Sequence, residues 1–278
     1  MAGDPLTYII IVNWNGKQDT LECLASLRAA THPNARILVV DNGSQDGSPE
    51  AIRSAHPGVE ILETGRNLRF AGGNNLGLRR ALARGAEQVM LLNNDTTVAP
   101  DFLDLMTRCL RSSTAIGVVA PTILYYDRPD LIWYGGGEIS FWTGTMRHVG
   151  IRQREDATDT TVRDTAYASG CCLLARREAV EAAGMLDETF FIYTEDADWC
   201  MRVRRAGFRI VYEPRARIWH KVSVSAGGHL SAFKLRHKFL SNMRFFARHA
   251  AWYHWFTFPW LNVVVNGVAA VRYMISRH

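Results

Sequence analysis

Cysteine is scarce in this 278-residue sequence, and the five that occur lack the spacing that a metal site or a disulfide framework requires. Cys171 and Cys172 are adjacent, whereas Cys23, Cys109 and Cys200 lie far apart in the chain. These spacings argue against a zinc-finger class and do not indicate a regular set of disulfides. We therefore expect reduced thiols and a protein of the cytoplasm.

We expect no secretory leader, because Met1–Thr7 has no basic region followed by an apolar stretch. Acidic side chains are nearly absent from the last part of the chain. Of the 32 Lys and Arg, 14 lie in residues 200–278, but only one of the 27 Asp and Glu does, namely Glu213. A segment with that charge attracts an anionic surface, either nucleic acid or anionic lipid.

Charged side chains are missing from residues 249–271, a stretch about long enough to span a bilayer. Polar residues and Pro259 argue against a simple spanning helix, whereas the Trp residues suit a membrane interface. Five preceding basic residues would meet anionic headgroups: Lys234, Arg236, Lys238, Arg244 and Arg248. We expect peripheral attachment to the cytoplasmic face of the inner membrane, with a spanning helix and a homodimer contact as alternatives. No nucleic-acid recognition motif accompanies the charge, so nucleic acid is not an expected partner.

Short apolar runs alternate with amphipathic segments over the first hundred residues. Strands are predicted at Tyr8–Asn13, Arg36–Asp41, Val59–Glu63 and Gln88–Asn93, with helices at Thr20–Ala30, Ser48–Ala55 and Ala71–Arg84. Three consecutive strand–helix–strand units predict an α/β fold with a doubly wound, mostly parallel sheet. Later strands are predicted at Gly117–Thr122 and Ala166–Ala175, and later helices at Pro100–Ser112, Arg177–Ala183 and Glu195–Ala206. Residues 123–163 show no clear pattern, and two helices are expected after Ser231.

Polar residues follow three of the predicted strands, in the segments Val12–Gly16, Val39–Ser48 and Leu91–Thr97. Ligands of open α/β sheets bind beyond the carboxyl ends of strands, so we expect these segments to meet at one site. Asn, Asp and Gly also favour plain turns, but three such segments on adjacent strands favour a site. Gly65–Gly77 opens a helix with small residues close to Arg66, which is typical of a phosphate-binding helix N-terminus.

Carboxylates and one histidine complete the set of reactive candidates. Asp95 follows the fourth strand, where a diphosphate would need a divalent cation, and His220 is a candidate nitrogen ligand although a lone histidine is more often structural. Glu195, Asp196 and Asp198 form the densest acidic cluster, directly after bulky apolar residues. Partial burial there would raise a carboxylate pKa toward that of a general base. Capping of the helix is the alternative, and it is favoured for Asp198.

Taken in order, these motifs resemble the family 2 glycosyltransferases, which have the GT-A fold, and especially the bacterial rhamnosyltransferase-like and galactofuranosyltransferase-like branches. The resemblance runs from Tyr8 to about Gly228. It implies a GT-A domain over residues 1–230, a basic and aromatic helical tail over residues 231–278, and inverting sugar transfer from a nucleotide diphosphate to an acceptor hydroxyl. dTDP-rhamnose is the first expectation for the donor and UDP-linked sugars are the second. The expected acceptor is a cell-surface glycan or a lipid-linked saccharide.

The resemblance also implies catalytic and metal roles. Asp196 would be the general base with Glu195 beside it, and Asp95 with His220 would hold Mn²⁺ or Mg²⁺. The family commonly has another Asp in the metal motif, where this chain has two Asn before Asp95. An amide oxygen binds a divalent cation less strongly than a carboxylate does, so we expect weak metal affinity or a greater dependence on His220.

Substrate contacts are implied in the same way. Trp199 and Gly170 would shape the acceptor or sugar site, and Asp41 would accept from a ring nitrogen of the base. The other implied nucleotide contacts are Val12, Asn13, Trp14, Asn15, Arg66, Asn67, Gly72, Asn75 and Asn94.

Two other functions remain open at this stage. A catalytically silent sugar-nucleotide or glycan-binding module is compatible with the missing metal-motif Asp. A sugar-nucleotide pyrophosphorylase also has a nucleotide-binding α/β sheet. It would require a basic, Gly-rich loop directly after the first strand, which Val12–Lys17 does not supply.

Overall fold

The computed structural model describes residues 3–30, 32–156, 158–222, 232–258 and 260–261, without the side chains of residues 232–235. The strands are β1 Thr7–Asn13, β2 Ala35–Asp41, β3 Glu60–Glu63, β4 Gln88–Asn93, β5 Thr96–Val98, β6 Ile116–Tyr125, β7 Ile132–Tyr134, β8 Gly137–Ser140, β9 Thr145–His148, β10 Arg163–Asp164, β11 Cys172–Arg176 and β12 Arg209–His220. The α-helices are α1 Lys17–Arg28, α2 Ser48–Ala55, α3 Arg69–Ala83, α4 Phe102–Arg111, α5 Arg177–Ala183, α6 Glu195–Arg205 and α7 Ala232–His249, and a 3₁₀ helix follows at Trp252–Phe256.

One large sheet organises the molecule, with strands in the order β10-β12-β6-β11-β4-β1-β2-β3. Strands β4, β1, β2 and β3 run parallel to one another, and β6 is parallel to β12. Strand β11 runs antiparallel between β4 and β6, and β10 is antiparallel to β12. The predicted α/β fold with a doubly wound, mostly parallel sheet is confirmed.

Strand β1 lies in the middle of the parallel part of the sheet, and its apolar run is buried because helices cover both faces. Ile10 and Ile11 have no exposed surface. Helix α3 approaches β1 closely at Gly77, where an added Cβ would lie 2.4 Å from Ile10 Cγ2. Glycine at this position therefore allows the helix to sit directly on the strand that carries the first polar motif.

The sequence prediction differs from the structure most between β6 and α5. The strand predicted at Ala166–Ala175 begins only at Cys172. Residues before it form a turn, in which the Cys172 amide donates to the Ser169 carbonyl and the Gly170 amide donates to the Asp196 carboxylate. Strands β7, β8 and β9 lie in the stretch that showed no pattern, because short antiparallel strands of mixed composition carry little periodicity.

Helix α7 confirms the first helix expected in the tail, and it packs on α6. Phe245 and Phe246 are fully buried. The Asp198 carboxylate accepts hydrogen bonds from Arg248 at 2.9 Å, His249 at 2.8 Å and, within α6, Arg202 at 3.0 Å. Burial alone would raise the pKa of Asp198, but these hydrogen bonds lower it to about 2. Asp198 therefore anchors the tail helix as a buried anion, a structural role that differs from the predicted capping of α6.

Among the residues that the structure describes, none of the helices is long and apolar enough to cross a bilayer. The second tail helix, predicted around Pro259, falls largely on residues 262–278, which lie outside the described residues. The predicted domain boundary at residues 230 and 231 also falls outside them.

Candidate active site

The polar segments after β1, β2 and β4 meet at one edge of the sheet, as the sequence predicts. The register of the parallel strands places Asn13 beside Asp41 and Val12 beside Asn93. Asn13 Nδ2 donates to Asp41 Oδ1 at 2.8 Å, and Asn94 Nδ2 donates to Asn13 Oδ1 at 3.3 Å. Asn13 therefore joins the three strand ends in one hydrogen-bonded network.

Asp41 is 2% exposed, and both carboxylate oxygens already accept bonds from the protein. Oδ1 accepts from Asn13, and Oδ2 accepts from the Ser44 backbone amide at 2.9 Å. A base nitrogen would have to share one of these oxygens, so the direct contact to the base stays a prediction. Next to it, Trp14 is 57% exposed and presents an aromatic face, while Asn15 Oδ1 accepts from the Gln45 amide at 2.7 Å.

Several of the other predicted nucleotide contacts have structural duties. The Asn75 side chain exchanges two hydrogen bonds with the Leu186 backbone, each 2.9 Å long, and donates to Glu188 at 2.8 Å, so its amide is fully occupied. Helix α3 begins at Arg69, two residues before its predicted start, which moves Gly72 away from the free N–H groups of the first turn. An added Cβ on Gly72 would lie 3.0 Å from Leu68 Cβ, so this glycine serves close packing.

Arg66 and Asn67 lie on the exposed surface between β3 and α3. Asn67 Oδ1 accepts from the Arg69 amide at 2.7 Å and holds the turn that starts the helix. Asn94 donates to Thr20 Oγ1 at 3.0 Å as well as to Asn13. A carboxylate at position 94 would lose both donated bonds, which gives a local reason for the amide in the metal motif.

Asp95 and His220 come together because β5 pairs with the end of β12, with Thr96 opposite His220. His220 Nε2 lies 3.2 Å from Asp95 Oδ1, and the two residues are only 7% and 8% exposed. Two ligands at right angles on one cation, with bonds of about 2.1 Å, are about 3 Å apart. The pair therefore fits two neighbouring positions on one Mn²⁺ or Mg²⁺. The described residues contain no group of three or more His, Cys, Asp or Glu suited to a metal, so a bound phosphate or water must supply the other ligands.

Glu195 and Asp196 stand at the start of α6, after a sharp turn in which Tyr193 and Thr194 have φ angles of 68° and 75°. Asp196 Oδ2 accepts from the Gly170 amide and Oδ1 from the Ala197 amide, both at 2.8 Å. These bonds fix the carboxylate, and they partly offset burial, which raises the pKa of Asp196. Asp196 thus has the fixed orientation and the raised pKa that a general base requires.

Glu195 differs from its neighbour because one of its two carboxylate oxygens has no hydrogen-bond partner among the described residues. It is 6% exposed, and its Oε2 atom has no hydrogen bond among the described residues. Burial, and then the negative charge of Asp196, raise the pKa of Glu195 to about 8. A protonated Glu195 at neutral pH removes charge repulsion next to Asp196 and leaves one buried oxygen for a ligand.

A cavity of about 680 Å³ unites these groups. Its lining consists of Phe70, Asn93, Trp133, Met146, Arg147, His148, Ile151, Tyr167, Ser169, Gly170, Cys171, Ile192, Tyr193, Thr194, Glu195, Asp196, Ala197, His220, Lys238 and Asn242. The predicted base, metal ligand and sugar-site glycine thus face one space. Gly170 is required here, since an added Cβ would lie 2.8 Å from the Phe70 ring.

Trp199, which the sequence assigns to the acceptor or sugar site, does not line the cavity. It is 2% exposed in the core, and its indole N–H donates to the Gly184 carbonyl at 2.7 Å. Trp199 lies on the side of α6 that packs against the end of α5, where Gly184 is the C-cap. It therefore ties the two helices together and does not form a wall for the acceptor.

Sequence reasoning missed the walls contributed by β7, β9 and α7. The Trp133 ring packs edge-on against His220, at 4.7 Å between ring centroids, and against His148 at 4.5 Å. Burial lowers the pKa of His148 to about 4, so this ring is neutral. These contacts orient His220, the predicted metal ligand. They come from residues 123–163, where the sequence shows no periodicity, so they could not be predicted.

The comparisons with known proteins agree with this geometry. The model of glycosyl transferase family 2 matches residues 8–184. An N-acetylglucosaminyl-diphospho-decaprenol L-rhamnosyltransferase of Mycobacterium tuberculosis is 31% identical over 258 residues, covering 83% of this chain and 80% of its own length. The dTDP-rhamnosyl transferase RfbF of Shigella flexneri is 24% identical, covering 77% of this chain and 69% of its own.

Two solved structures share the fold. GalNAc-T7 with UDP, GalNAc and Mn²⁺ has a TM-score of 0.64 at 17% identity and covers 78% of this chain and 43% of its own. The mannosyltransferase PcManGT of Pyrobaculum calidifontis with GDP-Man and Mn²⁺ has a TM-score of 0.59 at 16% identity, covering 96% of this chain and 75% of its own. A pyrophosphorylase is thereby set aside: the chain belongs to glycosyl transferase family 2 and is a glycosyltransferase with the GT-A fold.

Proposed function

We propose that this glycosyltransferase transfers rhamnose from dTDP-rhamnose to a hydroxyl of a lipid-linked saccharide, with inversion at the anomeric carbon. One observation carries the proposal: the Asp196 carboxylate and the His220 ring face the same cavity, with Asp95 3.2 Å from His220. A general base and a metal site for a leaving diphosphate are the two parts that such a transfer requires. Rhamnose and the lipid-linked acceptor are suggested by the names of the two relatives.

The chemistry of the step falls to Asp196. It takes the proton of the acceptor hydroxyl while that oxygen bonds to the anomeric carbon, and the bond from this carbon to the nucleotide diphosphate breaks on the opposite face. The Gly170 and Ala197 amides each donate to one oxygen of the Asp196 carboxylate and so hold this carboxylate in place beside the cavity. A divalent cation held by Asp95 and His220 would stabilise the charge on the departing diphosphate.

The test is release of free dTDP from dTDP-rhamnose on addition of an acceptor such as N-acetylglucosaminyl diphosphate on a short isoprenyl chain. We expect release with Mn²⁺ or Mg²⁺ present and much slower release after chelation by EDTA. UDP-linked sugars and GDP-mannose serve as matched donors. A clear preference for one of them over dTDP-rhamnose would contradict the donor assignment while leaving the transferase intact.

Peripheral attachment to the cytoplasmic face of a membrane is the second part of the proposal. Exposed aromatic side chains form one surface, here called the aromatic patch: Trp142, Trp252, Tyr253, Trp255, Phe256 and Trp260. Trp142 joins the patch through Tyr253, at 5.8 Å between ring centroids. Trp and Tyr rings favour the membrane interface, and the basic residues before the patch favour anionic lipid.

The structure revises which basic residues are available for headgroups. Arg248 is bound by Asp187 and Asp198, and Arg244 donates to the Thr189 carbonyl, so both are held by the protein. Arg236 is exposed, whereas the side chain of Lys234 is outside the described part of the chain. Arg236 and Lys238 therefore remain exposed for headgroups, and the aromatic patch adds apolar attachment.

We expect the protein to co-sediment with vesicles that contain phosphatidylglycerol, and Trp252→Ser to weaken this binding about tenfold, since burying such a side chain contributes about 1.5–3 kcal/mol. Trp14→Ser, which removes an exposed Trp outside the patch, is the matched control and should bind as the unchanged protein does. A protein that is a dimer in solution and does not bind vesicles would show instead that the aromatic patch is a contact between two copies.

A further inference from the structure

The cavity has a polarity that runs from its floor to its rim. At the floor lie nearly buried groups, including Glu195 at 6% exposed, His220 at 7% and Ser169 at 4%. At the rim lie exposed side chains, among them Ile151 and Tyr193 at 48% and 38%. An acceptor hydroxyl must reach Asp196, so the rest of the acceptor extends toward the rim.

Among the described residues, the Lys and Arg side chains of the cavity lie at its rim. Arg147 and Lys238 are exposed and are the Lys or Arg side chains that line the cavity within the described residues. Arg147 already pairs with Glu138 at 2.6 Å. Lys238 pairs with no carboxylate in the part of the chain that the structure describes. It faces His148, where, after the larger effect of burial, its charge adds to the lowering of that pKa.

Two exposed apolar side chains follow Lys238 on α7. The next two residues of α7, Phe239 and Leu240, are 61% and 47% exposed. The cavity therefore has a base at the floor and, at the rim, a cation together with exposed apolar side chains such as Ile151 and Tyr193. A molecule with a sugar hydroxyl, then a phosphate, then a hydrocarbon chain matches that arrangement.

We propose that Lys238 binds the phosphate that joins the acceptor sugar to its lipid, so the chain recognises phosphate-linked acceptors through the rim of the cavity. This inference rests on the proposed function. In the proposed function the donor diphosphate would bind at Asp95 and His220, of which His220 lines the floor of the cavity. Lys238 on α7 is thus a specificity residue for the acceptor, and Asn242, one helical turn later on the same wall, bonds to Thr194 at 3.3 Å and holds α7 against the catalytic turn.

The test compares two acceptors with dTDP-rhamnose as donor in neutral detergent micelles: N-acetylglucosaminyl diphosphate on a short isoprenyl chain, and the uncharged octyl glycoside of N-acetylglucosamine. Lys238→Met should raise KM for the diphosphate acceptor about tenfold, as expected for the loss of one charge-assisted contact. KM for the octyl glycoside, KM for the donor and kcat should stay the same. Added salt should reduce the difference in KM for the diphosphate acceptor between Lys238→Met and the unchanged protein.

Arg236→Met is the matched control, because it removes an exposed positive charge from the same helix outside the cavity. An equal rise in KM for both acceptors in Lys238→Met would overturn the proposal. A raised KM for the donor would also overturn it and would assign Lys238 to nucleotide binding. A variant altered only in binding to phosphatidylglycerol vesicles would assign Lys238 to lipid headgroups.

Binding without the donor separates this inference from the proposed function. Titration calorimetry with the diphosphate acceptor should show weaker binding to Lys238→Met even if rhamnose is the wrong sugar. Unchanged binding would overturn the role of Lys238 whatever the donor proves to be.

Discussion

Asp196→Asn should lower turnover by about 10²–10⁴-fold, the range that a positioned general base contributes, while binding of the donor stays the same. The amide is the same size and cannot accept the acceptor proton. Steady-state release of dTDP gives the turnover, and calorimetry with dTDP gives the binding. Asp130→Asn, a change of an exposed carboxylate on the surface, is the matched control and should retain full activity.

The pH dependence of the unchanged enzyme follows from the same group. Burial raises the pKa of Asp196 and, with the charge of Asp196, raises the pKa of Glu195 to about 8. The base works only when ionised, so kcat/KM should fall as pH is lowered through the raised pKa of the pair. Asp196→Asn should lose this acidic limb. If Asp196→Asn kept normal turnover and an unchanged pH profile, another group would be the base.

Asp95→Ala should remove the effect of metal on donor binding and lower turnover by about 10²-fold or more, because a cation at a leaving phosphate contributes several kcal/mol. The measurement is the melting temperature with dTDP, with and without Mn²⁺. A ligand that binds only the folded state raises this temperature. For the unchanged protein, Mn²⁺ should enlarge the shift caused by dTDP.

Asp101→Ala changes an exposed carboxylate at the start of α4 and is the matched control. If Asp95→Ala still showed a larger dTDP shift with Mn²⁺, the cation would bind elsewhere. His220→Ala should weaken the effect as well, since the described residues offer no third carboxylate, histidine or thiolate for this site.

Much of the nucleotide side of the site was predictable because it depends on local order. Buried parallel strands read as continuous apolar runs, and their carboxyl ends lie at one edge, so Asn13, Asp41 and Asn94 had to be neighbours. The meeting of Asp95 and His220 is different, since it depends on the pairing of β5 with β12 across more than a hundred residues. The family resemblance supplied that pair, and spacing alone did not.

The acceptor side was not predictable from the chain. Part of the cavity wall comes from a hairpin, with Trp133 and His148, and from the tail helix, with Lys238. The local sequence of these elements does not indicate that they contact the cavity. Roles that depend on facing direction also failed: Trp199 points into the core, and Asn75 is occupied by the Leu186 backbone. The sequence does not show whether an aromatic or amide side chain lines a cavity or packs behind its wall. For Trp199 and Asn75 that depends on how α3, α5 and α6 pack together.

The most direct test of the central claim is coupling between donor cleavage and product formation. Purified protein, dTDP-rhamnose, Mn²⁺ and the diphosphate acceptor should yield one dTDP for each rhamnosylated acceptor, with the anomeric configuration opposite to that of the donor. Absence of both products, with dTDP-rhamnose bound and intact, would instead identify a catalytically silent sugar-nucleotide-binding module.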